Sequence, residues 1–160
     1  KHPPIKHPST LLATWFGCGL ITPAPGTWGS LGAIPFAIAI FHFAGFIPFI
    51  GAALILTPIA FWATAQYETA SGLHDNKQIV IDEVIGQWIA LLPVFFFVGI
   101  SWLYIIIAFV LFRLFDIQKP WPISYIDKNV EGATGVMLDD IIAGIFAAIL
   151  IIGALYAGIG

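Results

Sequence analysis

Long apolar runs without any charged side chain constrain this chain more than any other feature. Residues 25–67, 84–112 and 141–160 contain no Asp, Glu, Lys or Arg. A helix of about 20 apolar residues is long enough to cross the hydrocarbon core of a bilayer. Only 9% of the 160 residues are charged, whereas soluble domains carry about 25%. The chain is therefore predicted to be an integral membrane protein.

The apolar runs favour helices over the strands of a membrane barrel. Barrel strands alternate apolar and polar residues, but the run Ile105–Phe112 is apolar throughout. We therefore expect an all-α, polytopic membrane helix bundle that forms one domain over residues 1–160. About five helices (four to six) are expected, at residues 28–45, 48–67, 79–98, 102–116 and 136–157.

Three shorter segments connect or precede these helices. The stretch from Leu11 to Ile21 is too short and too rich in glycine to span a bilayer, so we expect an N-terminal interfacial or re-entrant element there. Thr27 belongs to a residue type that caps helices, which predicts that the first long helix begins just after it. Residues 117–135, rich in proline and glycine, are predicted to be a loop.

Threading the helices back and forth places the charged residues at one membrane face. The N-terminal segment, the 68–78 and 117–135 loops and the adjoining helix ends hold all six basic and all nine acidic residues. The opposite turns, at 46–48 and 99–101, hold none. Because Lys and Arg concentrate in cytoplasmic loops, the charged face is predicted to be cytoplasmic.

Three predicted helices carry acidic residues inside their apolar ends, and the threading brings these ends together. The residues are Asp82, Glu83, Asp116, Asp139 and Asp140. Carboxylates that share a site repel each other, and a hard divalent cation such as magnesium would relieve that repulsion. The alternative is that the acids near helix starts cap N-termini, where the helix dipole favours anions. This alternative does not fit Asp116, which ends a helix.

Arg113, Asp116 and Lys119 follow one another at three-residue spacing, which places neighbours on one side of a helix. One interpretation is a surface ion pair at a helix end. The other is that Asp116 ligates a metal while Arg113 and Lys119 hold a phosphate. Arg suits bidentate contact with phosphate, and Lys provides a point charge.

Two further segments offer candidate substrate contacts. The turn Pro25–Ser30 stands at a predicted helix start, where backbone N–H groups bind anions, so Gly26 and Thr27 are candidates. Gly26 and Gly29 could equally serve helix packing. His74, in the 68–78 loop, is either a ligand or proton shuttle, or a solvated loop histidine.

Glycine and tryptophan residues within the helices receive structural interpretations. Gly86 is predicted to permit close contact between helices. Four tryptophans are interpreted as anchors at the membrane interface: Trp28, Trp88, Trp102 and Trp121.

A series of ordered motifs carries a family resemblance over nearly the whole chain. The motifs are Gly17–Leu20, Pro25–Leu31, His74-Asp75, Ile81–Trp88, Phe112–Ile123, Asp127–Val130 and Gly135–Gly144. The run Arg-x-x-Asp-x-x-Lys-Pro-x-Pro-Ile is specific, and it occurs in order with Asp-Glu-x-x-Gly and Asp-Asp-x-x-Ala-Gly. On these residues the chain resembles the phosphatidylglycerophosphatase A family. Glu131 departs from the family pattern, in which a histidine or a small residue is expected.

The resemblance implies a magnesium-dependent lipid phosphatase of the bacterial inner membrane. Such enzymes remove the terminal phosphate of phosphatidylglycerophosphate, which leaves phosphatidylglycerol and inorganic phosphate. We expect the five acids to supply ligands for one or two magnesium ions, and Arg113 and Lys119 to bind the substrate phosphate. The nucleophile stays open between a water activated by the metal and an aspartyl phosphate formed on Asp82 or Asp116.

Two other classes of function compete with this expectation. An ion- or proton-coupled carrier would place acids in both halves of the membrane and often contains inverted repeats. Here the outer half is uncharged and no repeat is visible. The third class is a non-catalytic subunit of a larger membrane complex.

Overall fold

The computed structural model describes residues 7–72 and 78–158, which form helices joined by short turns. Among these residues there is no β-strand. The helices are α1 (Pro8–Ala13), α2 (Pro25–Ala44), α3 (Phe46–Ser71), α4 (Ile81–Phe97), α5 (Trp102–Gln118), α6 (Ile123–Asn129) and α7 (Gly132–Tyr156), with a 3-10 turn at Cys18–Leu20. The all-α helix bundle predicted from the sequence is confirmed.

The five long helices α2, α3, α4, α5 and α7 correspond to the five predicted ones, but several boundaries differ by two to four residues; α3, for example, continues to Ser71 instead of ending at residue 67. Helix α2 begins at Pro25 with Ala24 as its N-cap, so Thr27 lies inside the first turn and is not the cap. Proline is favoured at the first helical position because its missing N–H is not needed there. The predicted 117–135 loop contains α6 and the start of α7, because proline and glycine interrupt helices only locally.

The N-terminal element predicted at 11–21 consists of α1 and the 3-10 turn, and it packs on the bundle. The Val80 N–H donates to the Ala13 carbonyl at 2.7 Å, just before α4 begins. A Cβ added to Gly19 would lie 2.0 Å from the Gln78 carbonyl oxygen, so only glycine fits at this approach. The element therefore fixes the start of α4.

Successive long helices run in opposite directions, which gives the bundle two distinct ends. At one end, Gly26 near the start of α2 faces Arg113 near the end of α5. At the other end, the ring of Phe46 at the start of α3 lies 5.3 Å from that of Phe96 at the end of α4. The charged residues of α4, α5 and α7 gather at the first end, called here the charged end.

The helices have the dimensions of membrane spans. Three helices in the described ranges, α2, α3 and α7, are long and apolar enough to cross a membrane. Helices α4 and α5 have 17 residues each, about 26 Å at 1.5 Å per residue, close to the ~30 Å hydrocarbon core. Large apolar side chains project outward, as Phe43 does with 84% of its surface exposed. The chain is a membrane protein.

Helix α4 lies at the centre of the bundle and packs against α2, α3, α5 and α7. Its backbone comes very close to that of α7 at two glycines: a Cβ added to Gly144 would lie 2.4 Å from the Gly86 carbonyl oxygen. The close contact predicted at Gly86 is thus present. Since small residues let helix backbones approach, this crossing sets the spacing of the side chains one turn away.

The central position of α4 also overturns one interpretation from the sequence. Trp88 is only 3% exposed, and its indole N–H donates to the Ala33 carbonyl at 2.9 Å. It is a core residue and not an interface anchor, because α4 is covered by other helices. Trp102 and Trp121 are 66% and 78% exposed, which fits the anchor interpretation.

Candidate active site

The Gly86–Gly144 crossing brings the acidic residues of α4 and α7 together at the charged end. Asp82 and Asp140 each lie four residues, or about one turn, before the crossing glycine of their helix. One carboxylate oxygen from each of Asp82, Glu83 and Asp140 lies within 4.8 Å of the others. The two helices therefore build a compact three-carboxylate cluster.

Lys119 lies between the other two predicted acids, Asp116 and Asp139. Its ammonium nitrogen lies 3.7 Å from Asp116 Oδ1 and 3.9 Å from Asp139 Oδ2. Lys119 follows the last residue of α5 in a left-handed conformation, with φ 49°, which is uncommon for a residue with a Cβ. Pro120 comes next and cannot continue the helix. The chain turn at the end of α5 thus places a cation between two helices.

Arg113 joins the end of α5 to α4. Its Nη1 donates to Asp116 Oδ2 and lies 3.7 Å from Glu83 Oε1. The Arg113 side chain is only 14% exposed, so the interpretation as a surface ion pair is wrong. A guanidinium shielded in this way interacts more strongly with its partners than one in water does.

Gly26 forms the wall of the site at the start of α2. A Cβ added to Gly26 would lie 2.8 Å from Glu83 Oε1 and 3.1 Å from Arg113 Nη2, so a side chain there would displace the ion pair. Gly29 instead packs on Val80, with a Cβ-to-Cβ distance that would be 2.5 Å. Of the two open interpretations, helix packing therefore holds for Gly29, whereas Gly26 borders the charged groups.

These elements enclose a cavity of about 590 Å³ at the charged end. All five predicted acids, together with Arg113 and Lys119, line it. Apolar side chains that the sequence did not single out complete the wall: Ile79, Ile117 and Val136. They carry no polar signature, and only the packing of the helix ends reveals them.

The structure does not support Thr27 as a substrate contact, and it does not describe His74, the other candidate. Thr27 is not among the lining residues, although Gly26 beside it is, and its N–H donates to the Ala24 carbonyl at 3.1 Å. His74 lies outside the described residues.

The capping interpretation fails for the acids of α7. Because α7 begins at Gly132, Asp139 and Asp140 lie about two turns inside the helix, and the dipole effect fades beyond the first turn. Asp82 and Glu83 do lie in the first turn of α4. Helix capping thus leaves three of the five carboxylates unexplained: Asp116, Asp139 and Asp140.

The buried oxygens fit a bound cation. Asp82 Oδ1, Glu83 Oε2 and Asp140 Oδ2 are buried and have no hydrogen-bond partner among the described residues. A buried charged oxygen without a partner is costly. Five carboxylates against two basic side chains would also repel an anionic substrate. A hard divalent cation takes such oxygen ligands, so the donor set fits magnesium.

Lys119 stays charged in this surrounding. Burial by itself lowers the pKa of its ammonium, but neighbouring carboxylates outweigh burial and raise the pKa above its ordinary value (Asp116, Asp140, Asp139 and Asp127). The Lys119 side chain therefore remains positively charged throughout the neutral pH range.

Comparison with known proteins agrees with the motif resemblance. The family described as Phosphatidylglycerophosphatase A matches residues 11–155. The chain belongs to this family. It is 42% identical to Phosphatidylglycerophosphatase A of Haemophilus influenzae, over 95% of this chain and 91% of the relative. It is 40% identical to Phosphatidylglycerophosphatase A of Escherichia coli, over 90% of this chain and 81% of that protein.

A third relative carries a different name. The Putative phosphatidylinositol-3-phosphatase of Bacteroides thetaiotaomicron is 40% identical, over 92% of this chain and 95% of its own length. No solved structure matches the chain. The names of the three relatives share one chemistry, the removal of a phosphate group from a phospholipid.

Proposed function

We infer that this chain is a phosphatidylglycerophosphate phosphatase, which hydrolyses the terminal phosphate monoester of that lipid and releases phosphatidylglycerol and inorganic phosphate. Family membership carries the proposal. The cavity supports it, because carboxylates and basic groups face each other where helices of a membrane protein end. A phosphate on a lipid headgroup would be presented at that level of the bilayer.

Magnesium is the cofactor we propose for this cavity. Asp82, Glu83 and Asp140 would hold it, since one carboxylate oxygen of each lies within 4.8 Å of the others and each has a buried oxygen without a hydrogen-bond partner among the described residues. Asp116 and Asp139 would complete the ligand set for one or two ions. When bound, magnesium would neutralise the carboxylates, polarise the phosphoryl group and help a water molecule to attack it.

The basic side chains have a separate role in the proposed reaction. Arg113 and Lys119 would bind the oxygens of the transferred phosphoryl group and offset the negative charge that they carry in the transition state. Contacts of Nη1 with Asp116 and Glu83 hold the Arg113 guanidinium in the wall of the cavity.

Hydrolysis itself requires one bond to form and one to break. The oxygen of water bonds to phosphorus, the bond between phosphorus and the glycerol oxygen breaks, and the proton lost by water ends on that glycerol oxygen. If an aspartate were the nucleophile instead, Asp82 would be the better of the two candidates. Both oxygens of Asp116 face basic groups, which reduces their nucleophilicity. Trapping with hydroxylamine separates the routes, because only the aspartyl phosphate yields a hydroxamate.

We further propose that the protein lies in the bacterial inner membrane with the cavity facing the cytoplasm. The exposed Lys128 on α6 lies in the loop region at the charged end, and such residues concentrate on the cytoplasmic side.

A carrier or a non-catalytic subunit would release no phosphate, so one assay tests the proposal. The purified full chain in detergent micelles would be given phosphatidylglycerophosphate, phosphatidic acid and phosphatidylinositol 3-phosphate in parallel, with and without magnesium. We expect the highest kcat/KM for phosphatidylglycerophosphate. Absence of phosphate release from all three lipids would overturn the enzyme proposal. A preference for phosphatidylinositol 3-phosphate would overturn the assignment of phosphatidylglycerophosphate as the substrate.

A further inference from the structure

An apolar groove lies between α2 and α5, from Leu31 and Phe109, at least one helical turn beyond the charged cavity, to the other end of the bundle. It has a volume of about 580 Å³ and is lined by residues 31–43 of α2 and 102–109 of α5. Ala39 and Ile106 are among the exposed residues of its wall, so the groove is open on its membrane side. We call it the α2/α5 groove.

We propose that the α2/α5 groove holds one acyl chain of the lipid whose phosphate enters the charged cavity. This inference rests on the proposed function and extends it, because it assigns a binding site for the part of the substrate that does not react. Groove and cavity then form one extended substrate site.

Continuity along α5 is the first argument. Trp102, Ile105 and Phe109 line the groove, and at helical spacing the same face continues to Arg113 and Asp116, which line the cavity. Arg113 lies about one turn beyond Phe109, so the groove and the cavity are neighbours along α5. A lipid with its phosphate at Arg113 would direct its tail toward Phe109.

The dimensions give the second argument. From Leu31 to Phe43 the wall of α2 extends for about 18 Å at 1.5 Å per residue. One leaflet contributes about half of the ~30 Å hydrocarbon core. The groove is thus about as long as one acyl chain, and it ends at Phe43 and Trp102, at the end of the bundle opposite the charged cavity.

A second apolar groove provides a contrast within the same molecule. It has a volume of about 440 Å³ and lies against α4 and α7, lined by Phe46, residues 89–97 and residues 145–152. The Gly86–Gly144 contact separates it from the carboxylates. This α4/α7 groove lacks a path to the cavity between its two helices, so annular lipid would fill it without regard to the substrate.

The two grooves permit a matched test with full-length protein. Ala39→Trp would fill the α2/α5 groove, and Ala148→Trp would fill the α4/α7 groove. The measurement is kcat/KM for dioleoyl and for dihexanoyl phosphatidylglycerophosphate in one detergent. Lipid tails are as apolar as a protein groove, so the groove contributes contact and position, not transfer out of water. Losing about 1 kcal/mol of such contact corresponds to a roughly fivefold effect on kcat/KM.

We expect Ala39→Trp to lower the ratio of long-chain to short-chain kcat/KM about fivefold and Ala148→Trp to leave that ratio unchanged. If the two variants had the same ratio of long-chain to short-chain kcat/KM, the groove assignment would be overturned. The proposed function would still stand as long as the wild-type protein turned over the lipid. Absence of turnover with both lipids in wild-type protein would instead overturn the proposed function.

Photolabelling of wild-type protein tests the groove even if Ala39→Trp does not fold. The probe is phosphatidylglycerophosphate with a diazirine on one acyl chain. A diazirine near the chain end should label residues around Phe43 and Trp102, and one near the ester should label residues around Leu31 and Phe109. Excess unlabelled substrate should suppress both. Labelling spread evenly over the helices, or insensitive to competitor, would show annular lipid only and overturn the proposal.

Discussion

Gly144 of α7 lies so close to Gly86 of α4 that a single added Cβ would stand 2.4 Å from the Gly86 carbonyl oxygen. One turn before these glycines lie Asp140 and Asp82, whose carboxylates belong to the three-residue cluster. The distance between the helix backbones therefore determines the distance between the proposed metal ligands.

Gly144→Ala should damage both stability and activity, because its Cβ meets backbone that cannot move aside. Overpacking of this kind costs about 1–3 kcal/mol, and separation of α4 from α7 would also pull Asp140 away from Asp82. Gly153→Ala, in the same helix, is the control, since a Cβ there meets nothing within 4 Å. Thermal unfolding in detergent and phosphate release measure the two effects. Equal behaviour of the two variants would show that the crossing does not position the site.

Arg113→Lys should reduce kcat/KM although it keeps the positive charge. Lysine cannot contact the phosphate and the two carboxylates through a rigid fork as arginine does. Loss of one hydrogen bond to a charged group costs about 1.5–3 kcal/mol, which corresponds to roughly tenfold to more than hundredfold in kcat/KM. Steady-state assays check this, and wild-type kinetics in the lysine variant would remove Arg113 from phosphate binding.

Lys119→Gln should weaken substrate binding, because the cation between Asp116 and Asp139 is lost and those carboxylates then face the phosphate uncompensated. The control is Lys128→Gln, the same substitution at an exposed position of α6, where effects within about 0.5 kcal/mol are usual. The measurement is KM for phosphatidylglycerophosphate. A similar KM in both variants would contradict a substrate role for Lys119.

Magnesium should stabilise the wild-type fold, because a ligand that binds only the folded state raises the free energy of unfolding, by about 2.7 kcal/mol at one hundred times Kd. Asp140→Asn removes a charged ligand from the cluster and should lose most of this gain. Asp127→Asn, on the exposed side of α6, should keep it. Thermal unfolding with increasing magnesium tests this without relying on turnover. An equal magnesium shift in both variants would exclude Asp140 as a ligand.

The orientation can be tested with single cysteines in a Cys18→Ser background. Lys128→Cys lies at the charged end and Ile100→Cys in the turn at the opposite end. In intact spheroplasts a membrane-impermeant maleimide should label the cysteine at position 100 and spare the one at position 128. The reverse pattern would place the cavity on the outer side of the membrane.

The sequence predicts the long helices and the gathering of acids well, since both depend on local composition and on the threading of apolar segments. It cannot predict which helix occupies the centre. Trp88 was misjudged for this reason, because the same residue serves as an anchor on an outer helix and as core on α4. The depth of Asp139 and Asp140 was also missed, since the start of α7 at Gly132 depends on tertiary packing.

Gly86 shows what the sequence can predict and what only the structure reveals. Its small size indicated a close contact, but its partner Gly144 becomes evident only when α4 and α7 run side by side. The groove between α2 and α5 is likewise invisible in the sequence, because every residue that lines it also fits an ordinary lipid-facing helix surface.

The most direct test of the charged cavity as a magnesium-dependent phosphatase site compares wild-type protein with Asp116→Asn. Both would be purified in one detergent, checked for equal helix content and assayed for phosphate release from phosphatidylglycerophosphate, with magnesium and with a chelator. We predict turnover by the wild type with magnesium only, and almost none by the folded variant under either condition. Wild-type turnover in the chelator, or near-normal turnover in Asp116→Asn, would contradict the account.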